Sequence, residues 1–279
     1  MPPTWIVHWS FDPIAFRLGW FTLHWYGLCW LLAFMQGQYL TRRLLVRVGR
    51  ADVDVSSLMI VTLFGTIIGA RLAQCLFYEP AFYLAHPLKI LAIWEGGMAS
   101  HGGAVGFVVA IAWGARRYAH GLPLLTLLDV VSLPSAIGGA IVRVANFLNS
   151  EIIGVPTSGS WGVVFDRIDQ LPRIPIQLFE AATYVLVAIF LFWQRRHRDA
   201  LTYPGRLTGW FIVLVFGSRA VLECWKVPQA AYETGDIVSV GQWLSIPFVL
   251  IGLIFLWRSW NATGPLHCSD SVRRTTDVI

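Results

Sequence analysis

Seven long apolar stretches constrain the fold of this chain more than any other feature of its sequence. A helix needs about 20 mainly apolar residues to cross the hydrocarbon core of a bilayer. The stretches cover residues 21–41, 56–77, 97–115, 123–147, 176–194, 207–225 and 239–258. Only 13% of the 279 residues are charged, whereas soluble domains carry about 25%. The sequence therefore predicts an all-α integral membrane protein with seven transmembrane helices, and a typical water-soluble enzyme is excluded.

The distribution of Lys and Arg predicts the orientation of these spans. Thirteen of the 21 basic residues follow the first, third, fifth and seventh spans, and five lie on the opposite side. Basic loops remain in the cytoplasm, so we expect the N-terminus outside and the C-terminus inside. Residues 1–260 then form a single membrane domain, and residues 261–279 form a polar cytoplasmic tail. The first 20 residues are broken by polar residues and read as an interfacial segment.

Other classes of protein fit the charge and cysteine patterns poorly. The net charge is +5, but the cations lie in short blocks between apolar stretches, so no nucleic-acid partner is expected. The four cysteines follow no metal-ligand spacing, and three lie in apolar runs. We therefore expect no disulfide framework, no metal and no cofactor.

Three arginines, Arg71, Arg143 and Arg219, fall late in even-numbered spans and so lie toward the external leaflet. An arginine inside a membrane costs at least a few kcal/mol and usually faces protein or water. Snorkelling to the interface is the alternative for any one of them. Three at one depth predict a cationic cavity, and arginine binds phosphate through a planar, permanently charged fork. At this depth the phosphate of a phospholipid is the expected ligand.

Other polar residues are predicted at the same depth. Glu223 follows Arg219 by four residues and Asn146 follows Arg143 by three, so each pair shares a helix face. Glycines surround His101, which favours either a close approach of ligand to backbone or tight helix packing. The same external level holds Tyr26, Glu151, Gln177, Glu180 and Gln242.

From Phe11 to Trp257 the chain resembles the prolipoprotein diacylglyceryl transferases of the bacterial inner membrane. The order and spacing of several motifs carry the resemblance, since single pieces such as GARL at 69–72 are weak. The other motifs are FDPIAFRLGWFTLHWYG at 11–27, IWEGGMASHGG at 93–103, RVANFLNSEIIG at 143–154, WGVVF at 161–165, PIQLFEA at 175–181, SRAVLE at 218–223 and GQWLSIP at 241–247.

The resemblance implies a function and a location. The family transfers a diacylglyceryl group from phosphatidylglycerol to the lipobox cysteine thiol of a preprolipoprotein, forms a thioether and releases glycerol phosphate. The implied partners are phosphatidylglycerol, signal peptides with a lipobox cysteine, and the lipid bilayer. The implied location is the bacterial cytoplasmic (inner) membrane, with a small external insertion at residues 151–173, between the fourth and fifth spans.

The resemblance also implies roles for individual residues. Arg143 and Arg219 match arginines tied to activity and suit stabilisation of a leaving phosphate. His101 is a candidate general base, because only the thiolate attacks. The implied substrate-binding set is completed by Tyr26, Asn146, Glu151, Gly154 and Glu223, of which the two glutamates are expected to hold the arginines.

The chain also departs from the family at several positions. Val142 and Ala145 replace glycines beside Arg143 and Asn146, and the other departures are Ile174, Phe179 and Lys226. The main alternative function is a divergent, non-enzymatic phospholipid or anion transporter that uses the same cavity. Polar groups on one side only favour an enzyme, because transporter sites lie near the midplane between repeats. An intramembrane hydrolase is a weaker third reading, since Ser160 lies in a loop.

Overall fold

The computed structural model describes residues 5–19, 21–93, 99–197, 200–227 and 240–261. Within these ranges the chain forms eight α-helices and five short strands. The helices are α1 Trp25–Arg47, α2 Val55–Ala73, α3 Pro80–Ala85, α4 Ser100–Tyr118, α5 Leu124–Leu148, α6 Ile176–His197, α7 Arg206–Leu222 and α8 Val240–Asn261. Residues 262–279, nearly all of the predicted cytoplasmic tail, lie outside the described part of the chain.

Five helical segments are long and apolar enough to cross a membrane. They are Val55–Tyr78, Leu124–Leu148, Ile176–His197, Arg206–Trp225 and Gly241–Asn261. They coincide with the second and the last four of the seven stretches in the sequence. The first and third stretches are also helical, as α1 and α4, but they are not among the five. Helix α1 carries glutamines and a basic end, and α4 begins with Ser100, His101 and two glycines.

The surfaces of these helices are strongly apolar. Phe64, Val109, Leu186 and Ile254 each expose more than half of their accessible surface. A water-soluble monomer rarely exposes apolar patches of this extent, whereas hydrocarbon covers such faces at no cost. Together with the five long apolar helices, these faces identify an integral membrane protein that is mostly helical.

The all-α prediction omitted two small sheets. Strand β1, Trp5–Trp9, pairs in parallel with β4, Trp161–Phe165, and β4 pairs with β5, Pro172–Arg173. A separate hairpin joins β2, Ile14–Leu18, to β3, Phe21–His24. The first stretch predicted as a span therefore begins as a strand. Such short segments pair across large sequence separations, which local hydrophobic periodicity does not reveal.

A small aromatic core lies beneath the three-stranded sheet. Phe165 is fully buried and packs with Phe147 and Val163, and Trp9 joins this cluster. The ring centroids of Trp9 and Phe147 are 4.5 Å apart, and those of Phe147 and Phe165 are 5.7 Å apart. The end of α5 is therefore packed against the insertion between α5 and α6 and against the N-terminal strand.

The chain divides into two compact units, Thr41–Leu127 and Met1–Leu40 with Leu128–Ile279. Within Thr41–Leu127, helices α2 and α4 pack backbone to backbone through glycines. A Cβ on Gly69 would overlap the Gly102 carbonyl oxygen, and a Cβ on Gly106 would overlap the Gly65 carbonyl oxygen. Small residues allow the two helices to approach this closely. The resulting van der Waals contacts stabilise the pair, because the hydrophobic effect does not drive helices together within lipid.

In the other unit, α7 packs on α8 through Gly209 and Gly252. A side chain from α5 caps the first turn of α7. The buried Asp129 carboxylate accepts hydrogen bonds from the backbone N–H groups of Gly205 and Thr208, at 2.6 and 2.7 Å. It also accepts one from the Thr208 hydroxyl at 2.8 Å. These bonds satisfy donors that the first turn of a helix leaves unpaired, so α5 fixes the start of α7.

Candidate active site

Four charged side chains of alternating sign form a chain of ion pairs between α5, α6 and the end of α7. Arg143 Nε lies 3.2 Å from Glu180 Oε2, and Lys226 Nζ lies 2.7 Å from Glu180 Oε1. Lys226 Nζ also lies 3.0 Å from Glu223 Oε2. We call these four residues the ion-pair chain.

The ion-pair chain is largely shielded from solvent. The side chains of Glu180 and Lys226 are 3% and 6% exposed, and those of Arg143 and Glu223 are 13% and 15% exposed. An unpaired buried charge costs several kcal/mol, so each member depends on its neighbours. Removing any one of them leaves an uncompensated charge in the cluster.

Asn146 connects Arg143 to the residues that follow α5. Its Oδ1 accepts a hydrogen bond from Arg143 Nη1 at 3.4 Å, which confirms that the two residues share a helix face. Its Nδ2 donates to Glu151 Oε2 at 3.3 Å, and Asn149 Nδ2 donates to Glu151 Oε1. The buried Gln177 donates to the Glu151 carbonyl oxygen at 2.7 Å. Among the residues that the structure describes, Glu151 is therefore held by amides and pairs with no arginine, contrary to expectation.

The turn after α5 is strained. Ser150 and Ile152 adopt left-handed backbone angles, with φ of 55° and 54°. This conformation is uncommon for a β-branched residue and costs of order 1–3 kcal/mol. The turn lies inside the 143–154 motif and sets the position of Glu151.

Gly154 allows three backbone segments to meet next to Lys226. A Cβ there would lie 3.0 Å from Ile174 Cβ and 3.1 Å from the Trp225 carbonyl oxygen. Gly154 also pairs with Lys226 in an antiparallel bridge. A side chain at position 154 would therefore overlap the Ile174 carbonyl oxygen and crowd the segment that carries Lys226.

The insertion between α5 and α6 supports Gly154 through Arg173, which also pairs with Asp169. Arg173 Nη1 donates to the Gly154 carbonyl oxygen at 3.1 Å, and Arg173 Nε donates to Asp169 Oδ2, also at 3.1 Å. The hydrogen bond from Arg173 lowers the pKa of the Asp169 carboxyl below its usual range. The insertion is thus tied to the segment that pairs with Lys226.

Arg219 differs from Arg143 in its surroundings. It is half-buried in the last turn of α7, and within the described ranges it makes no ion pair or hydrogen bond. The expected pair with Glu223 is not formed, because Glu223 pairs with Lys226. The fork of Arg219 is therefore available to an anion.

Arg71, in the unit Thr41–Leu127, is bound by backbone carbonyl groups of the protein itself. Its buried guanidinium donates to the carbonyl oxygens of Ile90 and Ala92, at 2.9 and 3.0 Å, and lies over the ring of Tyr83. It also donates to the carbonyl oxygen of Lys89. These contacts explain a buried arginine without a phosphate, and they anchor the segment that follows α3.

Among the described residues Tyr26 makes no hydrogen bond or ring contact with the ion-pair chain, and His101 belongs to the other compact unit, Thr41–Leu127. His101 lies in the first turn of α4, but its side chain is outside the described part. Tyr26 lies at the start of α1, with its ring centroid 6.4 Å from that of Trp30. Gly102 packs closely against Ala73 and Gly69, which explains why a glycine is needed there. Gly96 and Gly97 lie outside the described residues.

Sequence reasoning did not identify Glu180 and Lys226 as site residues. Glu180 was placed at the external level, and Lys226 was noted only as a departure from the family. A signal was present, since Glu180 is the only carboxylate in the stretch 176–194. A lone carboxylate inside a span predicts a cationic partner on a neighbouring helix. Among the residues described, no three His, Cys, Asp or Glu side chains converge as a metal site requires.

Comparisons with known proteins agree with the resemblance in the motifs. The family model of prolipoprotein diacylglyceryl transferase matches residues 13–258. The phosphatidylglycerol–prolipoprotein diacylglyceryl transferase of Tolumonas auensis is 46% identical over 254 residues, which cover 91% of this chain and 98% of that protein. The proteins of the same name from Chloroherpeton thalassium and Porphyromonas gingivalis are 41% and 37% identical, and each alignment covers 91% of this chain and 94% of the relative. The chain belongs to the prolipoprotein diacylglyceryl transferase family.

Proposed function

We propose that this protein is an enzyme that transfers the diacylglyceryl group of phosphatidylglycerol to the lipobox cysteine thiol of a preprolipoprotein. The relatives carry both substrate classes in their names. The observation that supports this function most directly is the ion-pair chain on apolar, membrane-length helices, together with Arg219, which precedes Glu223 by four residues and has no partner in the described part of the chain. We infer that a phospholipid phosphate can approach these cationic groups from the membrane.

The chemistry requires a nucleophile and a stabilised leaving group. The cysteine sulfur attacks the glyceryl carbon that bears the phosphate, a C–S bond forms and the C–O bond breaks. The bonding electrons leave on the phosphate oxygen of glycerol phosphate, and the thiol proton passes to a base. Positive groups near that oxygen stabilise the charge that develops on it.

Arg143 and Arg219 are the groups proposed to meet the phosphate, and His101 is proposed to take the thiol proton. Asn146, Glu151 and Gly154 shape the turn beside Arg143. Glu223 acts on the site through Lys226 rather than through Arg219. Tyr26 is proposed to contact the lipid headgroup.

The finer topology is part of the same proposal. Seven spans would place the N-terminus and residues 151–173 outside and the C-terminal tail in the cytoplasm of a bacterial cell. Residues 1–260 would act as one membrane domain of the inner membrane. The support is the charge asymmetry between the loops.

The function is tested with purified protein, phosphatidylglycerol vesicles and a peptide that contains a lipobox cysteine. Release of glycerol phosphate that depends on the peptide supports the proposal. A peptide with serine in place of cysteine is the matched control, and release with that peptide would contradict thiol transfer. The transporter alternative receives no support from the comparisons, whose relatives are named as transferases.

A further inference from the structure

We infer that Glu180 is a positioning residue that orients the Arg143 guanidinium for end-on binding of the substrate phosphate. This inference rests on the proposed function. It assigns a role to a buried carboxylate that the motif analysis did not include in the site. It follows from which nitrogens of Arg143 are occupied and which are not.

The guanidinium of Arg143 can bind an anion through its Nε–Nη edge or through its Nη1–Nη2 edge. Glu180 Oε2 pairs with Nε as a charge contact at 3.2 Å that lacks the geometry of a hydrogen bond. Asn146 Oδ1 takes one donor of Nη1 at 3.4 Å, which is a long contact. Nη2 has no partner among the described residues. The edge formed by the two Nη atoms is therefore left for a ligand.

Glu180 can hold this geometry because its own carboxylate is fixed on both sides. Its Oε1 binds Lys226 Nζ at 2.7 Å, so each oxygen has one cation. Lys226 in turn binds Glu223, and its backbone pairs with Gly154. With 3% exposure, the Glu180 side chain has little room to choose another rotamer.

The charge balance also assigns different roles to the two arginines of the site. Glu180 and Glu223 together offset Arg143 and Lys226, whereas Arg219 has no counter-ion in the described part of the chain. Arg219 thus provides the net positive charge of the site, and Arg143 provides two fixed hydrogen-bond donors, its Nη atoms, for the phosphate. Loss of Glu180 should disturb Arg143 and leave the contribution of Arg219 intact.

Glu180→Gln separates this role from general packing. The amide has the same size, but it is uncharged and cannot pair with a cation at each end as the carboxylate does. If the glutamine oxygen still binds Lys226, the glutamine NH2 group faces Arg143 Nε. Two hydrogen-bond donors then face each other, which is unfavourable. We expect kcat/KM for glycerol phosphate release to fall about tenfold or more, because coupled residues interact by amounts of this size.

Double-mutant cycles provide the decisive measurement. In an Arg143→Lys background, Glu180→Gln should reduce kcat/KM by less than about threefold, because the guanidinium that Glu180 orients is already gone. In an Arg219→Lys background, its full effect should remain. Equal losses in both backgrounds, or full activity of Glu180→Gln alone, would overturn the inference.

Two further variants keep the test interpretable. Glu180→Asp retains the charge but shortens the side chain, so it should show a smaller loss with the same dependence on Arg143 if Glu180→Gln does not fold. Asp52→Asn removes the carboxylate of a surface ion pair with Arg50 and should leave kcat/KM unchanged. An inactive wild-type protein would contradict the proposed function itself, whereas an active wild type with additive cycles would contradict only the role of Glu180.

Discussion

Arg143 and Arg219 carry the same charge in different surroundings. Arg143 is held by Glu180 and Asn146, and Arg219 meets no partner among the described side chains. Arg71 is satisfied by backbone carbonyl groups. The three arginines that looked alike in the sequence therefore have three different local roles.

Replacement of the two site arginines by lysine tests the phosphate clamp. Arg143→Lys and Arg219→Lys keep the charge but lose the planar fork, and we expect each to lower activity by about 100-fold at normal expression. Arg71→Lys should retain activity per folded molecule while lowering thermal stability, since three carbonyl groups lose donors. Initial rates and thermal unfolding of the three variants provide the check. Wild-type rates in both Arg143→Lys and Arg219→Lys would remove the clamp.

His101→Gln tests whether this residue takes the thiol proton. Glutamine keeps polarity but cannot accept a proton near neutral pH, so turnover should fall while lipid binding is retained. The deficit should shrink as the pH approaches about 8.5, where the peptide provides its own thiolate. The measurement is the pH–rate profile beside that of the wild type. A deficit that is constant across pH would assign His101 to the architecture of α4.

At the scale of elements, the glycines of α2 and α4 set how closely these helices approach. Gly106→Ala would place a Cβ against the Gly65 carbonyl oxygen and 3.0 Å from Gly69 Cα. Such overpacking costs about 1–3 kcal/mol, so we expect a lower unfolding temperature in detergent. Gly217→Ala is the matched control, because no described atom beyond its own helix backbone lies within 4 Å of its Cβ position. Equal unfolding temperatures for the two variants would contradict the close packing.

The sequence predicts the helices better than it predicts the contacts between segments that lie far apart in the chain. Each of the seven apolar runs overlaps a helix, although the first begins as strand β3, and five helical segments are apolar enough to cross a membrane. The strands of the insertion were missed because β1 and β4 are separated by about 150 residues and each has only five. Likewise, Arg143 and Asn146 share a face by local spacing, whereas the link to Glu180 and Lys226 depends on tertiary packing.

For the whole molecule, the orientation in the membrane is the first quantity to measure. In a variant without the four native cysteines, Ser160→Cys should react with an impermeant thiol reagent in intact cells, and Arg196→Cys should react only after lysis. The reason is that the charge asymmetry predicts residue 160 outside and residue 196 in a basic cytoplasmic loop. The opposite labelling pattern would invert the topology and move the proposed site to the cytoplasmic side.

The most direct test of the central claim is the identity of the modified peptide. Mass spectrometry after incubation with phosphatidylglycerol vesicles should detect one diacylglyceryl group on the lipobox cysteine, with one glycerol phosphate released for each modified peptide. The bond should resist hydroxylamine, because it is a thioether and not a thioester. Movement of intact phosphatidylglycerol between vesicles with no modified peptide would contradict the transferase account, as would a product that hydroxylamine cleaves.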